Sequence, residues 1–141
     1  MGTAVDRLPS LGITDVVNCR AQLQTRLSQD LWAERRVFGA EHVVHAPMWD
    51  NGRPQPPRLW APAARFAAGR LDDDPEAAVL IHCQQGRRRS AMVAYAVLRL
   101  RGHDEREAAR LVLESRAPAS LVPAYRASVE GWLAQADDPL T

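Results

Sequence analysis

The chain contains no lysine. All 18 of its basic residues are arginine, and 17 acidic residues offset them to a formal net charge of +1. That balance does not call for a nucleic-acid partner, and the arginine bias reads as coding composition with most side chains on solvated helix faces. Cysteine is also scarce. Cys19 and Cys83 form no Cys-x-x-Cys pair, are too few for a disulfide scaffold and lack zinc-site spacing. Long apolar runs are missing, so no transmembrane segment is expected, and the N-terminus has no basic-then-apolar leader pattern. A cytoplasmic location is the resulting expectation. With no internal repeat and no long linker, one domain is expected over 1–141, its core at about 8–134 between short flexible ends.

The 46% of hydrophobic residues is enough for an ordinary core, and its pattern predicts an α/β fold. Leu11 to Cys19 reads as a turn and a short strand, with Cys19 either a small core residue or a thiol able to pair with Cys83 after oxidation. Gln22 to Arg36 carries Leu23, Leu27, Leu31 and Trp32 at helical spacing, which predicts one amphipathic helix with that face inward. Glu41 to Pro47 reads as a second strand. His42 and His45 there lack further ligands, so no metal is expected. Met48 to Pro54 is a loop, Pro57 to Leu71 a helix, and Asp72-Asp73-Asp74 a solvated turn. Ala78 to His82 lacks alternation, which predicts a central strand buried on both faces. Helices are expected at Ser90–Arg101, from Asp104 as N-cap, and after Ser120, the last carrying Leu121, Val122, Tyr125, Val129, Trp132 and Leu133 on its apolar side. The sum is a small, mostly parallel sheet flanked by helices.

One stretch carries chemistry. His82-Cys83-Gln84-Gln85-Gly86-Arg87-Arg88-Arg89-Ser90 lies between an apolar strand and a helix start. Such a loop aims backbone N–H groups and the positive end of the helix dipole at one point, where an anion binds. A thiol at that point is expected to ionise below the free value of about 8.5. A thiolate facing an anion nest is a nucleophile with a target.

The run His82-Cys83-x-x-Gly86-x-x-Arg89-Ser90 resembles the His-Cys-x5-Arg-Ser/Thr signature of the protein tyrosine phosphatase superfamily. The small size and the Pro47-x-x-Asp50-Asn51 loop upstream look like its dual-specificity branch, and the likeness extends from about Leu11 to Leu133. It implies a phosphatase-loop architecture and a cysteine-dependent phosphomonoester hydrolase without cofactor or metal. Its substrates would be phosphorylated proteins or small phosphorylated molecules, phosphoinositides included. Cys83 would attack phosphorus and form a phosphocysteine, and Arg89 would clamp the phosphoryl oxygens. The N–H groups of Gln84, Gln85, Gly86, Arg87, Arg88 and Arg89 would line the phosphate site. Ser90 would bond the sulfur, His82 would fix the loop, and Asp50 would be the general acid, the alternative for Asp50 being a plain turn. Two departures stand out: Gln85 replaces the small residue common there, and Arg87 and Arg88 add cations, read either as a polyanion-selecting rim or as solvated helix-start residues. A non-catalytic phosphate-binding module is the other class of reading. Oligomeric state is not legible.

Overall fold

The computed structural model describes residues 4–83, 88–115 and 120–136. Three strands, β1 (Asp15–Asn18), β2 (Val43–His45) and β3 (Val79–His82), form a wholly parallel sheet in the order β2-β1-β3. Seven α-helices surround them among the described residues: α1 (Ala4–Arg7), α2 (Gln22–Ser28), α3 (Asp30–Phe38), α4 (Pro57–Asp73), α5 (Arg89–Leu100), α6 (Glu105–Ser115) and α7 (Pro123–Ala136). The expected α/β class is what is found. No helix among the described residues is long and apolar enough to cross a membrane.

β3 is not the central strand. That place falls to β1, all four of whose residues are buried, while β3 lies at an edge and is only partly covered. In a parallel sheet, helices pack over edge strands as well, so an unbroken apolar run marks cover by helices rather than rank in the sheet. The edge position still brings the carboxyl end of β3 beside that of β1. Asn18 is the register partner of His82, and the Cys19 amide donates to the His82 carbonyl at 2.7 Å.

The single helix expected over 22–36 is two helices. Gln29 takes a left-handed conformation (φ 58°) between α2 and α3, and its N–H closes α2 on the Thr25 carbonyl. The orientation is also the reverse of the expected one. Leu23, Leu27 and Trp32 are exposed, and the buried residues of the pair are Thr25 and Glu34. The interior that this pair faces contains polar groups, Asn18 and His82, and it selects a polar face rather than the apolar one.

The apolar core lies around α5, which buries Met92, Val93, Tyr95, Ala96 and Val97 and packs against α4, α6 and α7. Alanines at 61, 63, 64, 67 and 68 of α4 let the two helix backbones approach closely. Gly102 (φ 101°) ends α5, and the Asp104 side chain caps α6 by accepting from the Glu107 amide at 2.8 Å, as the local sequence predicts. Arg99 on α5 donates twice to Glu130 on α7, at 2.8 and 2.9 Å, and the Tyr95 hydroxyl adds a third bond at 2.6 Å. Arg99 is the main reason the Glu130 carboxyl is held below its usual value, while burial and then Glu130 push the Tyr95 phenol up to about 12. This link ties α7 to α5.

Asp15 is fully buried at the start of β1. It accepts from Thr14 Oγ1 (2.6 Å) and Arg70 Nε (3.0 Å) and faces His42 Nδ1 at 2.7 Å. Burial pushes its carboxyl up, but Thr14, His42 and Arg70 together bring it below its ordinary value. A carboxyl depressed in the folded state adds stability above its unfolded value of about 3.9, and that stability is lost as pH falls through the folded value. Arg70→Ala is therefore expected to raise the midpoint of acid unfolding followed by circular dichroism, with a loss of about 1–3 kcal/mol at neutral pH.

Candidate active site

Cys83 follows directly on β3, and Arg89 and Ser90 open α5, so strand and helix deliver the signature residues to one point. Cys83 Sγ lies 3.6 Å from Ser90 Oγ. Gln84, Gln85, Gly86 and Arg87 lie outside the described residues.

Arg89 is 4% exposed and has no carboxylate partner among the described residues. Its Nη1 donates to the Met48 carbonyl at 2.6 Å and to Gln24 Oε1 at 3.0 Å, while Nε is buried with no hydrogen-bond partner among the described residues. A guanidinium out of water, held only by neutral acceptors and with a donor unspent, is costly to keep unless an anion joins it. Its neutral partners also fix its aim. Gln24 Oε1 at the same time accepts from the Ala21 amide at 3.0 Å and so ties the start of α2 to the arginine.

Asp50 is placed by α7 rather than by its own turn alone. The Tyr125 hydroxyl donates to Asp50 Oδ1 at 2.7 Å and accepts from the Gly52 amide at 3.0 Å. Burial, then Asp50, pushes the Tyr125 phenol up, so it stays a donor. Arg88 Nε lies 3.4 Å from Asp50 Oδ1, joining the Asp50 loop to the residue before α5. Gly52 suits this approach, with φ at 72° and the Arg88 guanidinium 3.5 Å from where a Cβ would stand. Gln55, buried, donates to the Trp49 and Arg53 carbonyls and to Asn51 Oδ1, which pins the loop from inside.

Behind the cysteine, His82 Nε2 lies 2.5 Å from Glu34 Oε2. Asn18 Nδ2 donates to Glu34 Oε1 (2.9 Å) and to Asp30 Oδ2 (3.0 Å), and Arg20 Nη1 donates to Asp30 Oδ2 at 3.1 Å. Asp30, Glu34 and His82 bring possible ligand atoms within 4.8 Å of one another. The amide and guanidinium donors already bonded to these oxygens would have to be displaced by a cation, so the cluster fits a hydrogen-bonded network better than a metal centre. Cys19 is fully buried nearby, and burial, then the neighbouring Cys83, push its thiol far up.

Of the residues expected at the site, His82, Cys83, Arg88, Arg89 and Ser90 lie at the end of β3 and the start of α5, and Asp50 pairs with Arg88 from the loop after β2, while Gln84, Gln85, Gly86 and Arg87 lie outside the described residues. Gln24, Glu34, Gln55 and Tyr125 join them from places where no motif points, Tyr125 from an apolar helix face. A buried polar residue inside an otherwise solvated helix, as Glu34 is, shows no periodic signal.

No family model and no curated protein matches this chain. Solved structures do. A mouse protein described as a dual specificity phosphatase, complexed with zinc tungstate, is 26% identical, with TM-score 0.71 over 99% of this chain and 83% of that one. Human DUSP28 is 22% identical, with TM-score 0.73 over 96% and 84%. PTPMT1 in complex with PI(5)P is 16% identical, with TM-score 0.74 over 93% and 83%. The chain has the fold of the dual-specificity phosphatase-like branch of the protein tyrosine phosphatase superfamily, as its signature loop implies.

Proposed function

We propose that this protein is a cysteine-dependent phosphomonoester hydrolase, most simply a dual-specificity or tyrosine protein phosphatase. The observation that carries the reading is the buried Arg89, which has no carboxylate partner among the described residues and sits six residues after a cysteine bonded to Ser90. In this reading the residues divide a two-step displacement between them. Cys83 attacks phosphorus in line, the phosphoryl–oxygen bond of the ester breaks, and phosphocysteine forms. Arg89 binds two phosphoryl oxygens and holds them more strongly as charge spreads in the transition state. Asp50 gives its proton to the leaving oxygen, then takes one from the water that cleaves phosphocysteine. Ser90 donates to the departing sulfur. As the resemblance of the signature loop implies, the backbone amides of 84–89 would take the remaining oxygens, with Gln84, Gln85, Gly86 and Arg87 outside the described residues.

A lipid or other small phosphate as substrate is the second reading. It is favoured by the structural likeness to PTPMT1, whose structure holds PI(5)P, and by the consecutive arginines before α5. A phosphate-binding module without turnover is the remaining alternative. Hydrolysis of an aryl phosphate in the presence of a chelator, inhibited by vanadate, is the expected result. Absence of turnover across mildly acidic pH overturns the enzyme reading.

A further inference from the structure

We propose that Glu34 is the positioning residue for His82 and, through it, sets the reactivity of the Cys83 thiol. The inference rests on Cys83 being the nucleophile. It adds a residue from another part of the chain, 48 positions away, to that assignment.

Glu34 is 2% exposed, although it lies on a helix whose other charged side chains are at least partly solvated. A buried carboxylate is costly unless its oxygens are satisfied, and here each oxygen has a separate donor. Asn18 determines which. Its Oδ1 accepts from the Arg20 amide at 3.0 Å, so its Nδ2 must face the acids, donating one hydrogen to Asp30 and the other to Glu34 Oε1. Asp30 is in turn held by Arg20 and by Ser28 Oγ at 2.7 Å. Burial pushes its carboxyl up, but Ser28, Asn18 and Arg20 together bring it below its ordinary value. Glu34 Oε2 is left for His82, and a carboxylate there requires the imidazole to carry its hydrogen on Nε2. The ring is thus fixed in orientation and tautomer by a carboxylate, as histidines that act through their second nitrogen are.

His82 is also fixed through its backbone, since its carbonyl accepts from the Cys19 amide and its strand partner is Asn18 itself. Cys83 is the next residue. Among the described residues, the charged and titratable groups facing this corner are Glu34 and Asp30 from α3, Arg20 from the loop after β1, Cys19, and Arg89 from α5.

No neutral residue of the same shape can replace Glu34. An amide has one acceptor and one donor, so glutamine can satisfy Asn18 or His82 but must present N–H to the other. Glu34→Gln is therefore expected to release the ring or to reverse its tautomer, with Nε2 accepting from the amide and the hydrogen moved to Nδ1. The readout is the pH profile of Cys83 alkylation by iodoacetamide, assigned to Cys83 by peptide mass, because this needs no turnover. Glu34→Gln should move the profile up by about one pH unit, so that Cys83 reacts roughly tenfold more slowly below the midpoint. It should have no added effect in a His82→Gln background. Superimposable profiles for Glu34→Gln and wild type, or effects that add in the double variant, overturn the proposal. In the wild-type protein, the ring-nitrogen NMR signals of His82 should report hydrogen on Nε2, and an unprotonated Nε2 overturns it even where the variant does not fold. An alkylation shift in a protein that hydrolyses no phosphate ester would uphold Glu34 and remove only the enzyme reading.

Discussion

Cys83→Ser is expected to end hydrolysis of any phosphomonoester while the protein still binds phosphate or vanadate. A serine hydroxyl beside Ser90 has no thiolate-like form near neutral pH, so the first displacement loses its nucleophile. The loss in kcat is roughly 10⁴- to 10⁶-fold, on the scale of removing a nucleophile that works as a unit with its partners. Binding survives because it comes from the other side of the site. Arg89 keeps its bonds to Met48 and Gln24, which do not involve Cys83, and so keeps its charge and aim. Steady-state kinetics and calorimetric titration with phosphate, run on the same preparation, check both halves. Residual turnover within tenfold of wild type removes Cys83 from the nucleophile role.

Asp50→Asn is expected to slow hydrolysis by about 10²- to 10⁴-fold for esters with poor leaving groups, and much less for good ones. A leaving alkoxide needs a proton in the transition state, whereas a stabilised phenoxide departs without one. The substitution keeps an oxygen for the Tyr125 hydroxyl, so the loop remains held through Tyr125 and Gly52. It leaves Arg88 facing a neutral amide instead of a carboxylate. The signature is therefore a steeper dependence of rate on leaving-group pKa. Equal loss across a series of aryl and alkyl phosphates would assign Asp50 to the turn it also makes.

These two residues differ in how visible they are before the fold is known. Cys83, Arg89 and Ser90 lie within eight residues, between a strand and a helix that their own neighbours predict, so spacing alone suggests the anion site. Asp50 is legible only once that site is recognised, because Asp-Asn-Gly also reads as an ordinary turn. What holds it there, the hydroxyl of Tyr125, comes from 75 residues away. Gln24 reaches Arg89 across 65 residues and Glu34 reaches His82 across 48. Such partners leave no periodic trace, since local pattern encodes which face is apolar and not which polar group meets which. The helix expected over 22–36 shows the same limit: its apolar spacing was regular, yet the polar interior around Asn18 and His82 drew Thr25 and Glu34 inward and left Leu23, Leu27 and Trp32 exposed.

The amino-acid sequence by itself determined the α/β class, the kinds of most elements, the cap at Asp104 and the Cys83-to-Ser90 signature, because each depends on residues within a turn or two of one another. Only the tertiary structure decided that β1 rather than β3 is central, that α2 and α3 break at Gln29, and that Tyr125, Gln24 and Glu34 hold the acid, the arginine and the histidine. Those outcomes rest on buried polar groups finding partners across the chain. That is a property of the packed whole and of no single segment.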